Sequence, residues 1–157
     1  MERTLVLIKP DAVHRRLVGR ILSRFEQKGL TVVALKMLQI GEELARGHYA
    51  PHEGKPFYEP LIRFVTGGPT VALVLEGKRA IEVVRMMMGA TFGPDAEPGT
   101  IRGDFAVSNR FNLVHGSDSP ESAEAEIARF FGQDELLDWV PDDFEQIYDF
   151  SEGGEPV

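Results

Sequence analysis

Residues 70–75 read TVALVL, a run of apolar and β-branched side chains that follows the helix-breaking GGP at 67–69. A short, wholly apolar run of this kind predicts a strand that is buried on both faces, so we place it in the centre of a sheet. Two further runs predict strands on its N-terminal side, over 4–8 and over 30–40. On its C-terminal side, residues 104–108 predict a fourth, short strand.

Helical segments separate these strands along the chain. Apolar residues at helical spacing predict one helix over 18–25 and another over 80–88. Two shorter helices, predicted over 42–49 and 57–65, form a pair that is inserted between the second strand and the third. The last helix has a strong N-terminal signal, because Ser119 is a good N-cap and the proline after it favours the first helical position.

The order of elements is strand, helix, strand, helical pair, strand, helix, strand, helix. Two strand–helix–strand units of this kind predict an α+β fold, a ferredoxin-like split βαβ sandwich. We expect a four-stranded antiparallel sheet that is covered by helices, packed on one face, with the helical pair as an insertion. Because this fold hosts many functions, the function has to be argued from the site.

Composition excludes several classes of protein. With 157 residues, 43% of them apolar and 27% charged, the chain resembles a globular domain and not a disordered or fibrous chain. It has no cysteine, which excludes disulfides, thiolate metal sites and cysteine nucleophiles. No apolar run approaches the roughly 20 residues that span a membrane. The N-terminus also lacks the apolar core of a signal peptide, so we expect a cytoplasmic protein with no membrane partner.

The net charge of −8 is concentrated near the C-terminus. Residues 1–129 carry 17 basic and 16 acidic side chains, whereas the remainder carries nine acidic and no basic ones. We therefore divide the chain into a body, residues 1–132, and an acidic C-terminal extension, residues 133–157. The nearly neutral body is compatible with a small anionic substrate. It lacks the basic stripe by which nucleic acid is bound, so we expect no nucleic-acid partner.

The segment 112–119, NLVHGSDS, is the sharpest candidate for chemistry, and we expect it to be a loop before the last helix. A glycine after His115 can expose the imidazole ring. Glu126 lies on the apolar side of the last helix, where an unpaired carboxylate is costly, so it can pair with His115 directly or through Ser117. A carboxylate on one ring nitrogen leaves the other free as a nucleophile. Spacing alone favours the alternative of a loop histidine beside a helix-border glutamate.

Cationic side chains form a second group of candidates. Lys9 ends the first strand, Arg85 lies in an otherwise apolar helix, and Arg102 lies between two glycines. Thr91 adds a hydroxyl from the long connection over 90–100. Converging lysine and arginine side chains suit phosphate oxygens, although each alone also fits a solvated side chain. Neither a P-loop nor a convincing G-x-G-x-x-G motif is present, so a bound nucleotide would have to be held by side chains.

The inserted helical pair supplies a third group of candidates, the aromatic stretch over 49–64. An aromatic such as Phe57 at the rim of a cleft could stack on a base, although composition alone also fits a core residue. His14, His48 and His52 have no metal-like spacing with carboxylates, so we expect no zinc site.

Four stretches of the chain, in this order, resemble motifs of the nucleoside diphosphate kinase family, and the resemblance covers residues 2–132. They are IKPD at 8–11, HY at 48–49 with KPF at 55–57, PGTIRGD at 98–104, and NLVHGSD at 112–118. The last is highly specific, because it is similar to the family's active-site signature. The resemblance implies a ping-pong reaction, in which a nucleoside triphosphate gives its γ-phosphoryl group to His115 and the phosphohistidine gives it to a nucleoside diphosphate.

The resemblance also implies a role for each residue that matches a family motif. The phosphates would be held by Lys9, Arg85, Thr91 and Arg102. The ribose would contact Asn112, and the base would stack on Phe57 beside Leu61. The ring of His115 would be positioned by Tyr49, Ser117 and Glu126. Mg²⁺ would be carried with the nucleotide, without ligands from the protein, and the chain would assemble as a homo-oligomer, either a hexamer or a tetramer.

Two other functions remain compatible with the sequence. One is a nucleotide-binding regulator on the same fold that lacks turnover, but His115, Lys9 and Arg102 are all present, which favours the enzyme. The other is a binder of single-stranded nucleic acid, but the predicted sheet lacks an aromatic ladder. The chain also departs from the family over 105–111, FAVSNRF, where a Val-Gly-Arg run is common, so the sequence leaves the contacts of residues 109–111 open.

Overall fold

The computed structural model describes all 157 residues. Its strands are β1 (Glu2–Ile8), β2 (Thr31–Gln39), β3 (Pro69–Gly77) and β4 (Val114–Gly116). Its helices are α1 (Pro10–His14), α2 (Val18–Gln27), α3 (Glu42–His48), α4 (Tyr58–Thr66), α5 (Ala80–Met88), α6 (Ile101–Phe105), α7 (Pro120–Phe130) and α8 (Phe144–Ile147). The sequence predicts all of these except α1, α6, β4 and α8.

The four strands form one antiparallel sheet in the order β2-β3-β1-β4. β3 is paired with β2 on one side and with β1 on the other, so the apolar run at 70–75 is central, as predicted. The ferredoxin-like sheet with its inserted helical pair, α3 and α4, is confirmed. β4 is short and pairs only with the end of β1.

The expectation that the helices pack on one face of the sheet is wrong. Side chains alternate along β1: Val6 and Ile8 belong to a buried cluster with α2 and α5, whereas Leu5 and Leu7 belong to a second cluster with α3, α4 and α7. A strand that is apolar at every position needs cover on both faces. The helical pair and α7 therefore supply the second layer.

The strand predicted over 104–108 is also wrong, because residues 101–105 form α6. The hydroxyl of Thr100 accepts a hydrogen bond from the backbone nitrogen of Gly103 at 3.0 Å and so caps a helical turn. The fourth strand is β4, in a segment that was predicted to be a loop. His115 consequently lies on a strand of the sheet, paired with Leu7, and not on a loop beside it.

The C-terminal part of the chain runs along the outer edge of β2. The N-cap of α7 is confirmed, because the Ser119 hydroxyl accepts from the backbone nitrogen of Ser122 at 3.1 Å. Beyond α7, the backbone nitrogen of Leu137 donates to the carbonyl of Val33 at 2.9 Å, and the indole nitrogen of Trp139 donates to the carbonyl of Val32 at 3.1 Å.

None of the helices is both long enough and apolar enough to cross a membrane.

Candidate active site

A cavity of about 580 Å³ brings together most of the side chains that the sequence singles out. Those that line it are Lys9, Tyr49, Phe57, Leu61, Arg85, Thr91, Arg102, Asn112 and His115. The two others, Ser117 and Glu126, do not line the cavity. Glu126 contacts the ring of His115, and Ser117 contacts Glu126. Residues from the N-terminal, middle and C-terminal parts of the sequence thus converge on one site.

The imidazole of His115 is held through one of its two ring nitrogens. Its Nε2 lies 3.0 Å from Oε2 of Glu126, and the hydroxyl of Ser117 donates to the same carboxylate oxygen at 2.7 Å. The Ser117 hydroxyl in turn accepts from the backbone nitrogen of Leu5 at 3.2 Å, which ties this chain of hydrogen bonds to β1. Because Nε2 is engaged, Nδ1 is the nitrogen of His115 that makes no hydrogen bond within the chain.

The carboxylate of Glu126 is well suited to hold that ring. Burial alone would raise the pKa of Glu126, but the hydrogen bond and charge of His115 and the hydrogen bond from Ser117 lower it overall. The side chain therefore stays ionised and can accept a proton from Nε2 of His115. α7 can present it inward because Ala123, Ile127 and Phe130 on the same side of the helix are buried.

Two buried cations give the cavity its charge. The Lys9 ammonium donates to the side-chain oxygen of Asn112 and has no carboxylate within ion-pair distance. Burial lowers the pKa of Lys9 to about 8, against a smaller opposing effect of the Asp11 carboxylate. Arg102 is likewise buried without a carboxylate partner, and burial lowers its pKa to about 10. Since a buried charge without a counter-ion is costly, this arrangement calls for an anionic ligand.

The guanidinium of Arg102 also has a structural role that its motif does not reveal. Its nitrogens donate to the backbone carbonyls of Asn112 at 3.1 Å, Gly89 at 3.0 Å and Val114 at 2.8 Å. Arg102 therefore fixes the start of β4 against the end of α5. Two of the five guanidinium N–H groups remain for a ligand.

The segment that leads into β4 is fixed on both sides. The side-chain amide of Asn112 bridges Lys9 and the carbonyl of Thr91, to which it donates at 2.8 Å. Leu113, directly before β4, has φ of +72°, a left-handed conformation that a side chain such as leucine adopts only at a cost. Its backbone nitrogen donates to Asp11 at 3.0 Å, which helps to maintain this conformation next to the strand that carries His115.

Aromatic rings form the apolar end of the cavity. Phe57 is 50% exposed, so the alternative of a core residue is excluded and its ring is free to stack. Tyr49 is buried with its ring centroid 6.4 Å from that of His115, and burial raises the pKa of its phenol. Phe64, to which no individual role was assigned from the sequence, also lines the cavity, and its ring lies 5.6 Å from that of Phe111. Asn109 and Arg110 also line this end and belong to the stretch left open above.

His48, which lies at the end of α3, belongs to a stretch that resembles a family motif but was assigned no role from the sequence. Its ring packs edge-on against His115, with centroids 4.6 Å apart. Burial, followed by the charge of His115, lowers the pKa of His48 to about 3, so the ring is neutral. The only sequence signal was its position directly before Tyr49, because its neighbours in space come from β4 and α7.

The arrangement is suited to nucleophilic attack on a phosphoryl group. A neutral imidazole oriented by a carboxylate is an activated nucleophile. Buried lysine and arginine side chains stabilise the charge that develops on phosphoryl oxygens.

Comparison with known proteins agrees with this geometry. The family model described as nucleoside diphosphate kinase matches residues 2–136. The chain is 54% identical to a nucleoside diphosphate kinase of Archaeoglobus fulgidus, over 95% of this chain and 99% of that protein. It is 65% identical to one of Nocardioides sp., over 82% of this chain and 96% of that protein. Among solved structures, a halophilic nucleoside diphosphate kinase from Halobacterium salinarum in complex with CDP has a TM-score of 0.92 and 51% identity, covering 94% of this chain and 99% of that chain.

Proposed function

This chain belongs to the nucleoside diphosphate kinase family, and from that premise we propose how its own residues carry out the reaction. It is an enzyme that transfers a phosphate group between nucleoside triphosphates and nucleoside diphosphates. The nucleotides are its substrates, and the cavity of about 580 Å³ is the place where we expect them to bind.

The reaction proceeds in two half-reactions through a phosphohistidine at His115. Nδ1 attacks the γ-phosphorus of the triphosphate, the bond to the bridging oxygen breaks, and the diphosphate leaves with that electron pair. The ring keeps its proton on Nε2 and becomes positively charged, and Glu126 stabilises that charge through its hydrogen bond. A terminal oxygen of a second nucleoside diphosphate then attacks the phosphorus of the phosphohistidine. The bond between phosphorus and Nδ1 breaks, and the neutral imidazole is restored. The contact between Nε2 and Glu126, at 3.0 Å, is the observation that carries this proposal.

The phosphates lie at the cationic end of the cavity. Lys9 and Arg102 supply the buried charge, and Arg85 and Thr91 add contacts from the end of α5 and the connection after it. Asn112 contacts the ribose. Its side-chain amide uses one N–H and one oxygen lone pair within the chain, so one N–H and one lone pair remain for the ribose hydroxyls. Arg102 acts on phosphate oxygens while its other N–H groups fix the start of β4.

The base lies at the aromatic end of the cavity. The half-exposed ring of Phe57 stacks on it, with Leu61 beside it on α4. Because every base has a π-face, stacking supports acceptance of different nucleosides. Tyr49 packs near His115 and helps to hold the position of its ring.

A divalent cation accompanies the reaction, and we propose Mg²⁺ carried on the nucleotide. The cavity is suited to this, since Asp118 is the one carboxylate that lines it, too few ligands for a resident ion. When bound, Mg²⁺ would neutralise negative charge on the phosphate groups.

The remaining features are proposals about the whole chain. We place catalysis in residues 1–132 and treat 133–157 as an appended extension, since Phe131 is the last buried residue of either hydrophobic cluster. The chain forms a homo-oligomer, a hexamer or a tetramer, which light scattering on the purified protein would distinguish. We place it in the cytoplasm, where nucleotides are metabolised, and the absence of cysteine is in keeping with that compartment.

Steady-state kinetics test the two half-reactions. Initial rates measured at several concentrations of both nucleotides should give parallel double-reciprocal lines, because the first product leaves before the second substrate binds. Labelled ADP should also exchange into ATP when no other diphosphate is present. Intersecting lines together with no exchange would contradict a phosphoenzyme, and nucleotide binding without turnover would identify the regulator.

A further inference from the structure

Three side chains that are able to ligate a metal ion, one of them the ring of His115 itself, lie close together at the site. A ring nitrogen of His48, a ring nitrogen of His115 and a carboxylate oxygen of Glu126 all lie within 4.8 Å of one another. They come from α3, β4 and α7, which are far apart in sequence. Because only folding brings these three residues together, their spacing along the chain does not reveal the group.

His48 is the member of this group that has no partner within the chain. Its side chain is 1% exposed, and neither of its ring nitrogens makes a hydrogen bond. Buried polar atoms nearly always have a partner, and a site-bound water or ion is one explanation of an exception. Nδ1 of His48 lies 4.0 Å from Oε1 of Glu126, too far for a hydrogen bond. Two atoms bound to one ion at about 2.0–2.1 Å lie at most about 4.2 Å apart, so the three ligand atoms, which lie within 4.8 Å of one another, have to move together slightly to hold an ion.

We propose that His48, His115 and Glu126 form a binding site for one divalent transition-metal ion, such as Zn²⁺ or Co²⁺. Two imidazoles and a carboxylate, with a fourth position open to water, are a donor set that zinc prefers. Mg²⁺ prefers oxygen ligands and water, so this site is distinct from the magnesium that the nucleotide carries. An ion can enter from the nucleotide cavity, because the side chain of His115 lines it and is 25% exposed.

Occupancy of this site stops phosphoryl transfer, a consequence that rests on the proposed function. The ion takes Nε2 of His115, the nitrogen that faces Glu126. A neutral imidazole with a metal on Nε2 carries its proton on Nδ1. The proton has moved between the two nitrogens of one ring, through solvent, and none is released. The lone pair that attacks phosphorus is then occupied, so the site is inhibitory.

Titration of the whole chain with Co²⁺, followed by visible absorption, tests the site directly. We expect one Co²⁺ per chain with the strong absorption bands of a four- or five-coordinate ion. His48→Phe keeps a buried aromatic ring but removes its nitrogens, and should weaken Co²⁺ binding at least about tenfold. Glu126→Gln should weaken it as well, so the result does not depend on one variant. The matched control is His52→Gln, a histidine that lines the cavity outside this group and should leave Co²⁺ binding unchanged.

Unchanged Co²⁺ binding in both His48→Phe and Glu126→Gln would overturn the proposal, as would the weak spectrum of a six-coordinate ion. Inhibition is measured separately: Zn²⁺ in the presence of excess MgATP should slow the wild type, and His48→Phe should need at least about tenfold more Zn²⁺ for the same inhibition. The two proposals fail differently. Co²⁺ bound as expected, without a phosphohistidine, refutes only the proposed function, whereas a phosphohistidine without Co²⁺ binding refutes only the metal site.

Discussion

At the scale of single residues, the reactivity of His115 depends on which of its ring nitrogens is engaged. Glu126 lies 3.0 Å from Nε2 and is itself held by Ser117, an arrangement that favours the tautomer with its lone pair on Nδ1. The charge of the cavity depends equally on single residues, since Lys9 and Arg102 are buried without carboxylate partners. Removal of either feature should change a measurable property without unfolding the chain.

Glu126→Ala should reduce the rate of phosphoenzyme formation by about 100-fold, since the ring loses the partner that fixes its tautomer and stabilises its charge. Rapid-quench measurement with labelled ATP would give this rate directly. Glu124→Ala, on the exposed side of α7, is the matched control and should behave as the wild type. An unaltered rate in Glu126→Ala would show that His115 needs no carboxylate.

Lys9 should give the pH profile an alkaline limb. Its pKa is lowered from 10.5 to about 8, so its charge is lost as pH rises through about 8, and kcat/KM for the nucleotide should fall above that pH. Stability should move the opposite way, because the unfolded chain binds more protons between these two values and folding becomes more favourable as pH rises. Loss of activity there is therefore not unfolding.

Lys9→Arg is the control for this assignment. Arginine stays charged throughout the range, so the variant should be slower but should show no fall in kcat/KM between pH 8 and about 9.5. If the alkaline limb persisted unchanged in Lys9→Arg, another group would be responsible for it.

At the scale of elements, α6 connects the fold to the phosphate site. Five residues form this helix, and it carries Arg102 to the start of β4. It closes tightly on the preceding loop, because a Cβ on Gly103 would lie 1.9 Å from the backbone oxygen of Glu97. Backbone cannot yield as a flexible side chain can, so this glycine determines the placement of the helix.

Gly103→Ala should destabilise the chain by about 1–3 kcal/mol and should raise KM for the nucleotide, because α6 has to move and carries Arg102 with it. Urea unfolding and steady-state kinetics measure the two effects. Gly19→Ala in α2 is the control, since nothing lies within 4 Å of its Cβ position, and it should be neutral or stabilising. Equal stability of the two variants would refute this role for Gly103.

Elements differ in how far the sequence could predict them. The apolar run at 70–75 could only be a buried strand, and Ser119 marked the start of α7 correctly. The strand predicted over 104–108 is wrong because residues 104 and 105 belong to α6, a five-residue helix that is decided by its cap, Thr100, and by tertiary contacts and not by its own composition. The sequence could not place His48 in the site, because only folding brings it close to Glu126.

At the scale of the whole molecule, the acidic extension is attached to the edge of β2 and not to the cavity. Asp138 pairs with Arg3, and Glu135 pairs with Lys36 at 2.7 Å. These pairs are partly exposed, and each contributes about 0–1 kcal/mol to stability. The two hydrogen bonds to Val32 and Val33 contribute about 1 kcal/mol each.

A chain that ends at residue 132 should therefore unfold at a lower temperature than the full chain and should keep its transfer rate within about threefold, because the cavity is untouched. Circular dichroism and a coupled assay at a temperature where both chains are folded make the comparison. Loss of transfer by the folded, shortened chain would contradict the proposed boundary between body and extension.

The location of the phosphate on the enzyme decides whether His115 is the nucleophile. The full chain is mixed with labelled ATP and Mg²⁺, quenched in base, and examined by mass spectrometry and phosphorus NMR. We expect one acid-labile, base-stable phosphate per chain, on Nδ1 of His115, and none in His115→Ala. Phosphate on another residue, or full transfer by His115→Ala, would contradict the account.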